Sequence, residues 1–225
     1  MRYVDEQIEQ TKGELKSFVG QVYRQMGLAA KNPECVVEFK PFVDTAIIDY
    51  AIVRKVNFIC MSTRGAGAIK RIFGTNTSSV LSKSPIPVLA IPHDYRRSPI
   101  SHVLYASDLT ALAVELKQVK KFSDASKSQL SVIHYGHVLE PAEMKRNLKT
   151  IAKRYRASGV KFSEEDYNLE RSMPDHLKSA VKSFKPSILA VFTKQDKNML
   201  QRIFPQSNSE RLSFDTKKPL LVFPK

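Results

Sequence analysis

Short apolar runs alternate with amphipathic stretches along the second half of this chain. Runs rich in β-branched residues predict strands at 102–107, 130–134, 160–169, 188–192 and 219–223. Apolar residues at every third or fourth position predict helices at 110–123, 141–158, 174–184 and 198–214, and Thr110 is predicted to be the N-cap of the first. Strands that alternate with helices of this length imply right-handed crossovers and a parallel sheet. The second half is therefore predicted to be an α/β domain.

The first half predicts a shorter set of the same elements. Its pattern indicates helices at 3–28, 43–54 and 75–84, and strands at 35–39, 57–61 and 87–91. Nothing in it matches the strand, helix and strand of 102–134. We expect an incomplete α/β copy in which strand 57–61 lacks one of its two neighbours. A preceding segment, strands from a second chain or a displaced pairing of strand 35–39 would then have to complete it.

Two segments of the chain repeat one pattern. Residues 57–92 and 187–224 each contain an apolar strand, a polar loop, an Arg-Ile-Phe step, a helical stretch and a last strand that ends in Pro. A repeat of this size indicates two copies of one α/β unit. We predict two tandem domains, an incomplete one at 1–95 and a complete one at 96–225, with the loop at 93–99 as the linker.

The two copies differ in the glycines of the repeated loop. The first copy has Gly65, Gly67 and Gly74, whereas no glycine follows Gly159 in the second. A loop whose backbone approaches a phosphate closely needs glycine, and this loop leads into the N-terminus of helix 75–84, where unpaired amides favour an anion. Only the first loop is therefore predicted to hold a phosphate.

These residues resemble the phosphate loop of the universal stress proteins, in which a glycine, two residues, a glycine, nine residues and a glycine precede Ser or Thr. Ser62 stands at the first glycine and Gly65 at the second. After eight intervening residues rather than nine, Gly74 and Thr75 close the motif before Asn76. Val103–Asp108 resembles the family's first strand, and His134 stands where the family commonly has a histidine.

The resemblance implies a doubly wound, adenine-nucleotide α-hydrolase-like fold with strand order 3-2-1-4-5. It also implies that Asp108 contacts adenine, while Ser62, Gly65, Gly74, Thr75 and Asn76 hold the phosphates of ATP or another adenine nucleotide. The first copy lacks the strand that would carry the acid. In the second copy, Pro205 and Gln206 replace the Gly-Thr pair. No complete site is expected within either copy.

Positive charge is concentrated in the second copy. The chain carries a net +14, of which residues 96–225 contribute +11, and the basic helix at 141–158 is its strongest local source. We interpret this helix as a solvated surface rather than a nucleic-acid site, because no aromatic residues interleave its bases as a stacking platform. Nucleic acid is therefore not expected as a partner.

Composition restricts the remaining classes of function. Cys35 and Cys60 occupy strand-like apolar positions without metal spacing, which predicts buried, reduced thiols and a cytoplasmic protein. No apolar run approaches the roughly 18 residues of a membrane span. His134 and His137 lack a third metal ligand nearby, and no nucleophile elbow or complete Walker loop is present. We predict no metal site and no enzymatic activity.

The resemblance implies a stress-response or regulatory module that associates with an unidentified protein partner, with nucleotide binding weakened or lost. Two alternatives stay open: an ATP-binding switch that uses the glycine loop of the first copy, with slow hydrolysis, and a basic nucleic-acid-associated protein. The family pairs its last strand across a dimer axis. We therefore expect strands 87–91 and 220–223 to join the two copies, or two chains, and to form a homodimer.

Overall fold

The computed structural model describes residues 2–29, 31–62, 75–137, 141–193 and 218–225. The helices are α1 (Arg2–Gln25), α2 (Val43–Val53), α3 (Thr75–Lys83), α4 (Leu112–Ala125), α5 (Ala142–Tyr155) and α6 (Met173–Phe184). The strands are β1 (Ile59–Ser62), β2 (Val88–Ile91), β3 (His102–Ala106), β4 (Gln129–Gly136), β5 (Lys161–Asp166), β6 (Ile188–Thr193) and β7 (Leu220–Pro224). The predicted helix 198–214 lies outside the described residues.

One mixed sheet contains all of these strands, in the order β1-β2-β7-β6-β3-β4-β5. Within residues 96–225 the strands run parallel and follow the predicted 3-2-1-4-5 order, from β5 through β4, β3 and β6 to β7. Central strand β6 is buried at all six positions, as expected for a parallel strand covered on both faces. The predicted α/β fold is confirmed.

The two copies meet through their last strands. β2 runs antiparallel to β7, with Val88 opposite Val222 and Ala90 opposite Leu220. The predicted pairing of the copies through these strands is confirmed within one chain. Because β2 also pairs with β1, and β7 with β6, neither strand has a free edge. A homodimer through the same strands stays a prediction, and it would have to displace this intrachain pairing.

Among the described strands, β1 lies at an edge of the sheet and pairs with β2 alone. The predicted loss of one ladder is therefore confirmed. The predicted strand at 35–39 is wrong, since these residues form no strand. A strand is stabilised by a hydrogen-bonded neighbour, and the first copy lacks the strands that would flank this segment, so its apolar pattern alone is insufficient.

The chain divides into two compact units, Met1–Ala46 and Ile47–Lys225. In the first unit, α1 is followed by Gly27, whose φ of +62° lies in the left-handed region that glycine adopts without strain. The division predicted at residues 95 and 96 stays a prediction.

Cys35 and Cys60 are both free thiols. Cys35 is buried as predicted, but Cys60 is exposed, because side chains alternate along β1 and Ile59 takes the buried face.

Apolar side chains pack against both faces of the sheet. One core cluster includes Ile48 of α2, Val80 of α3 and Leu177 of α6. The other includes Leu116 of α4 and Leu148 of α5. Helices α4 and α5 therefore cover one face, and α2, α3 and α6 cover the other. This layering leaves the carboxyl ends of the parallel strands as the place where loops converge.

Candidate functional site

The carboxyl ends of β3 and β6 form the switch point of the sheet, because β4 follows on one side of β3 and β6 lies on the other. Ala106 at the end of β3 lies opposite Val191 of β6. Open α/β sheets bind ligands in the crevice outside such strand ends. Asp108 follows β3 by two residues, so the predicted adenine contact lies at this crevice.

A tight turn holds the Asp108 carboxylate in place. Its Oδ1 accepts hydrogen bonds from the Thr110 backbone N at 3.0 Å and from Thr110 Oγ1 at 2.7 Å. This is an Asx turn, in which a short acidic side chain organises the backbone two residues ahead. Thr110 was predicted to cap the following helix. That prediction is wrong, because Ala111 is the N-cap residue of α4 and makes no side-chain bond.

Lys225 occupies the crevice beside this turn. Its Nζ donates to Asp108 Oδ2 at 2.5 Å and to Thr110 Oγ1 at 2.7 Å. The backbone N of Lys225 donates to Thr193 O at 2.9 Å and continues the pairing between β7 and β6. The pairing of β7 with β6 therefore places Lys225 at the carboxyl end of β3. Both carboxylate oxygens of Asp108 are engaged by groups of this chain.

A buried acid lies beneath this ion pair. Glu115 of α4 is only 2% exposed and accepts a short hydrogen bond from the Tyr105 hydroxyl through Oε2. Its Oε1 makes no hydrogen bond to the described residues but lies 3.4 Å from Lys225 Nζ. Burial, and then the bond to Glu115, raises the pKa of Tyr105, so this hydroxyl remains a donor. Lys225 is thus the compensating cation for two acids.

These contacts also set the ionisation of Asp108. Burial alone would raise the pKa of its carboxyl, but hydrogen bonds from Lys225 and Thr110 outweigh burial and lower the pKa below its ordinary value. Asp108 is therefore an ionised, ion-paired carboxylate. The adenine amino group that the resemblance assigns to it would have to compete with an ammonium group already in place.

Asp108→Asn is expected to reduce the acid sensitivity of the protein. Because the folded-state pKa of Asp108 is lowered, its ionised form stabilises the fold above the unfolded-state pKa of about 3.9. That contribution is lost as the pH falls through the lower folded-state pKa. Thermal melts should therefore show a deficit for the variant that is constant between about pH 7 and 5 and shrinks below about pH 4. An equal deficit at every pH would contradict the assignment.

Three candidate residues of the first copy are described: Ser62, Thr75 and Asn76. Ser62 ends β1, Thr75 begins α3, and Thr77 Oγ1 donates to Ser62 O at 3.0 Å. Asn76 is exposed in the first turn of α3. The bond from Thr77 holds the end of β1 against this turn. Gly65 and Gly74 lie outside the described residues.

The structure does not bring the two sets of candidate residues together. Because β2 and β7 are antiparallel, the carboxyl end of β1 points in the opposite direction from that of β3. Four strand spacings also separate β1 from β3, which is roughly 19 Å at about 4.8 Å per strand. Ser62 and Asp108 therefore cannot contact the same nucleotide within one chain.

Sequence reasoning missed three residues of the crevice: Tyr105, Glu115 and Lys225. Glu115 did leave a signal, because an acid interrupts the apolar stripe of Leu112, Leu116 and Val119 in α4. His134 lies within β4, two residues before its end at Gly136, where Nδ1 is 2.8 Å from Ser107 O and the ring is buried. Among the described residues, no three side chains of the metal-binding types lie close enough to hold an ion. None of the described helices is long and apolar enough to cross a membrane.

Comparison with known proteins supports the resemblance. The model of the universal stress protein family matches residues 5–92. A universal stress protein from Archaeoglobus fulgidus DSM 4304 has a similar structure, with a TM-score of 0.70 and 21% identity over 100% of this chain and 79% of that chain. A putative universal stress protein from Pseudomonas aeruginosa UCBPP-PA14 gives 0.63 and 13% identity, over 94% of this chain and 78% of that one. Identities this low show the fold. No curated protein sequence matches the chain.

Proposed function

We propose that this chain is a cytoplasmic stress-response module of the universal stress protein type that acts by association, and that its crevice binds nucleotide weakly or not at all. The observation that carries the proposal is the 2.5 Å contact between Lys225 Nζ and Asp108 Oδ2. The acid that adenine would need is already paired within the chain. Such a module is expected to transmit its signal through a bound macromolecule.

The Asp108 side chain is 38% exposed, so the cost of displacing Lys225 arises mainly from the buried Glu115. The Lys225 side chain is 10% exposed and that of Glu115 is 3% exposed. A ligand that displaced the ammonium group would leave a buried carboxylate without its cation, which costs about 3–5 kcal/mol. The same ligand would therefore bind roughly a hundred- to several-thousand-fold more weakly than in an open crevice.

An ATP-binding switch in the first copy is the second candidate function. The bond from Thr77 Oγ1 to Ser62 O favours it, because this bond keeps the end of β1 at the first turn of α3. The first amides of a helix have no partner within the helix and bind phosphate readily. In this case the nucleotide would be held without Asp108.

Thermal shift measurements with about 1 mM Mg-ATP test both candidates. A site with a Kd of about 10 μM would add about 2.7 kcal/mol, or several degrees in Tm for a chain of this size. If the proposal is correct, the same concentration of Mg-ATP should raise the Tm by less than about 1 °C. A larger shift that Asp108→Asn abolishes would overturn it. A shift that Asn76→Asp abolishes and Asp108→Asn leaves intact would establish the second candidate.

A further inference from the structure

Helices α4 and α5 carry the strongest cationic surface among the described residues. Seven exposed cations on them make no ion pair with any described residue: Lys117, Lys121, Arg146, Lys149, Lys153, Arg154 and Arg156, the last in the turn that extends α5. We refer to these seven residues as the α4–α5 surface. Both helices pack on the same face of the sheet. Their charges therefore form one continuous surface.

A groove between the two helices adds to this surface. It is lined by Lys117, Lys120, Lys121, Asp124 and Tyr155, and its volume is about 370 Å³. Lys120 donates to both carboxylate oxygens of Asp124, at 2.7 and 2.8 Å, so the acid is neutralised locally. The remaining lysines leave the groove positive. The cations that line the groove belong to α4, while α5 contributes Tyr155 to its wall.

The chemistry of the surface identifies the class of partner. Protein interfaces are depleted of Lys at their centre and use apolar anchors, and membrane-surface helices insert an apolar face. On α4 and α5 the one exposed large apolar residue among those described is Val114. A phosphate backbone needs only Lys and Arg. Single strands also need a row of aromatic rings, and the α4–α5 surface has none, so it fits a duplex better.

We infer that the α4–α5 surface docks the phosphate backbone of duplex nucleic acid without reading its bases. This inference deepens the proposed function, since it names the partner in the proposed association. It also reverses the expectation that nucleic acid is not a partner. The sequence indicated one basic helix, whereas in the structure α4 and α5 both carry exposed cations on the same face of the sheet. The two helices fix the backbone positions of these residues, and their long side chains can reach neighbouring phosphates of a duplex.

Binding to a labelled duplex of about 20 bp, followed by fluorescence anisotropy, tests the inference. If four to six phosphates are neutralised, log K should fall with log[salt] with a slope of about −4 to −5. Lys121→Glu combined with Lys153→Glu reverses one charge on each helix. We expect this double variant to bind at least about tenfold more weakly and to reduce the slope by about 2.

The matched control is Lys182→Glu combined with Lys185→Glu, at and just after the end of α6. It changes the net charge equally but lies on the other side of the sheet, and it should retain duplex binding. Equal losses in the two double variants would overturn the inference, because net charge alone would then explain binding. Tighter binding to polyglutamate or to vesicles containing phosphatidylserine than to the duplex would also overturn it. ATP is omitted from the duplex-binding measurements. A failure of this inference can therefore be distinguished from a failure of the proposed function, which the thermal-shift measurements test.

Discussion

Val222→Asp is expected to abolish the cooperative unfolding transition of this protein. Val222 is 2% exposed in β7, between Val88 of β2 and Val191 of β6. The change removes about 1.5–3 kcal/mol of apolar burial, and it buries an unpaired carboxylate at a cost of several kcal/mol. Together these losses approach the typical stability of a folded protein, about 5–15 kcal/mol. Both copies should be affected, because β7 joins them.

Circular dichroism melts and size-exclusion chromatography measure this effect. Val114→Asp is the matched control, because Val114 is 64% exposed on α4 and the same substitution there removes little burial. A change at such a surface site is expected to stay within about 0.5 kcal/mol. A Val222→Asp protein that melts within a few degrees of the wild type would show that β7 does not lie in the interior of the sheet.

Lys225→Met is expected to lower the free energy of unfolding by about 3–5 kcal/mol. The substitution preserves much of the side-chain length but removes the ammonium group that lies 2.5 Å from Asp108 Oδ2 and 3.4 Å from Glu115 Oε1. Among the described residues, the Tyr105 hydroxyl would then be the remaining partner of the buried Glu115 carboxylate. Adding Glu115→Gln to the variant should restore much of the loss, because an amide needs no cation.

Urea unfolding of the wild type, Lys225→Met, Glu115→Gln and the double variant measures the coupling free energy between Lys225 and Glu115. Lys117→Met serves as the control, since Lys117 is exposed and makes no ion pair with a described residue. Its effect should be below about 0.5 kcal/mol. If Lys225→Met costs less than about 1 kcal/mol, the lysine does not compensate a buried acid. The explanation for weak nucleotide binding would then fail as well.

Local signals predicted most of the elements. The β-branched run at 188–192 became β6, and Pro174 lies in the first turn of α6, where Ser172 provides the cap. Gly159 ends the turn after α5 with a φ of +72°. These features depend on residues close in the chain. The segment 35–39 failed because its apolar pattern is also local, whereas a strand needs a neighbour that the pattern cannot guarantee.

The candidate site could be predicted only in part. Asp108 was singled out because Val103–Asp108 resembles the first strand of the universal stress proteins. Lys225 was not, because its position depends on the register of β7 against β6, more than a hundred residues from Asp108 in the chain. The opposite directions of β1 and β3 could not be predicted either, because the composition of β2 and β7 does not show that these two strands pair antiparallel.

The position of β7 has a consequence for biosynthesis. In a chain made from its N-terminus, β2 leaves the ribosome about 130 residues before β7, or roughly 6–26 s earlier at about 5–20 residues per second. During that interval β1 and β2 form at most a two-stranded ribbon, which is marginal in water. Strand β2 thus depends on a partner strand that is made much later. A premature stop before residue 220 would leave the nascent first copy exposed to chaperones and proteases.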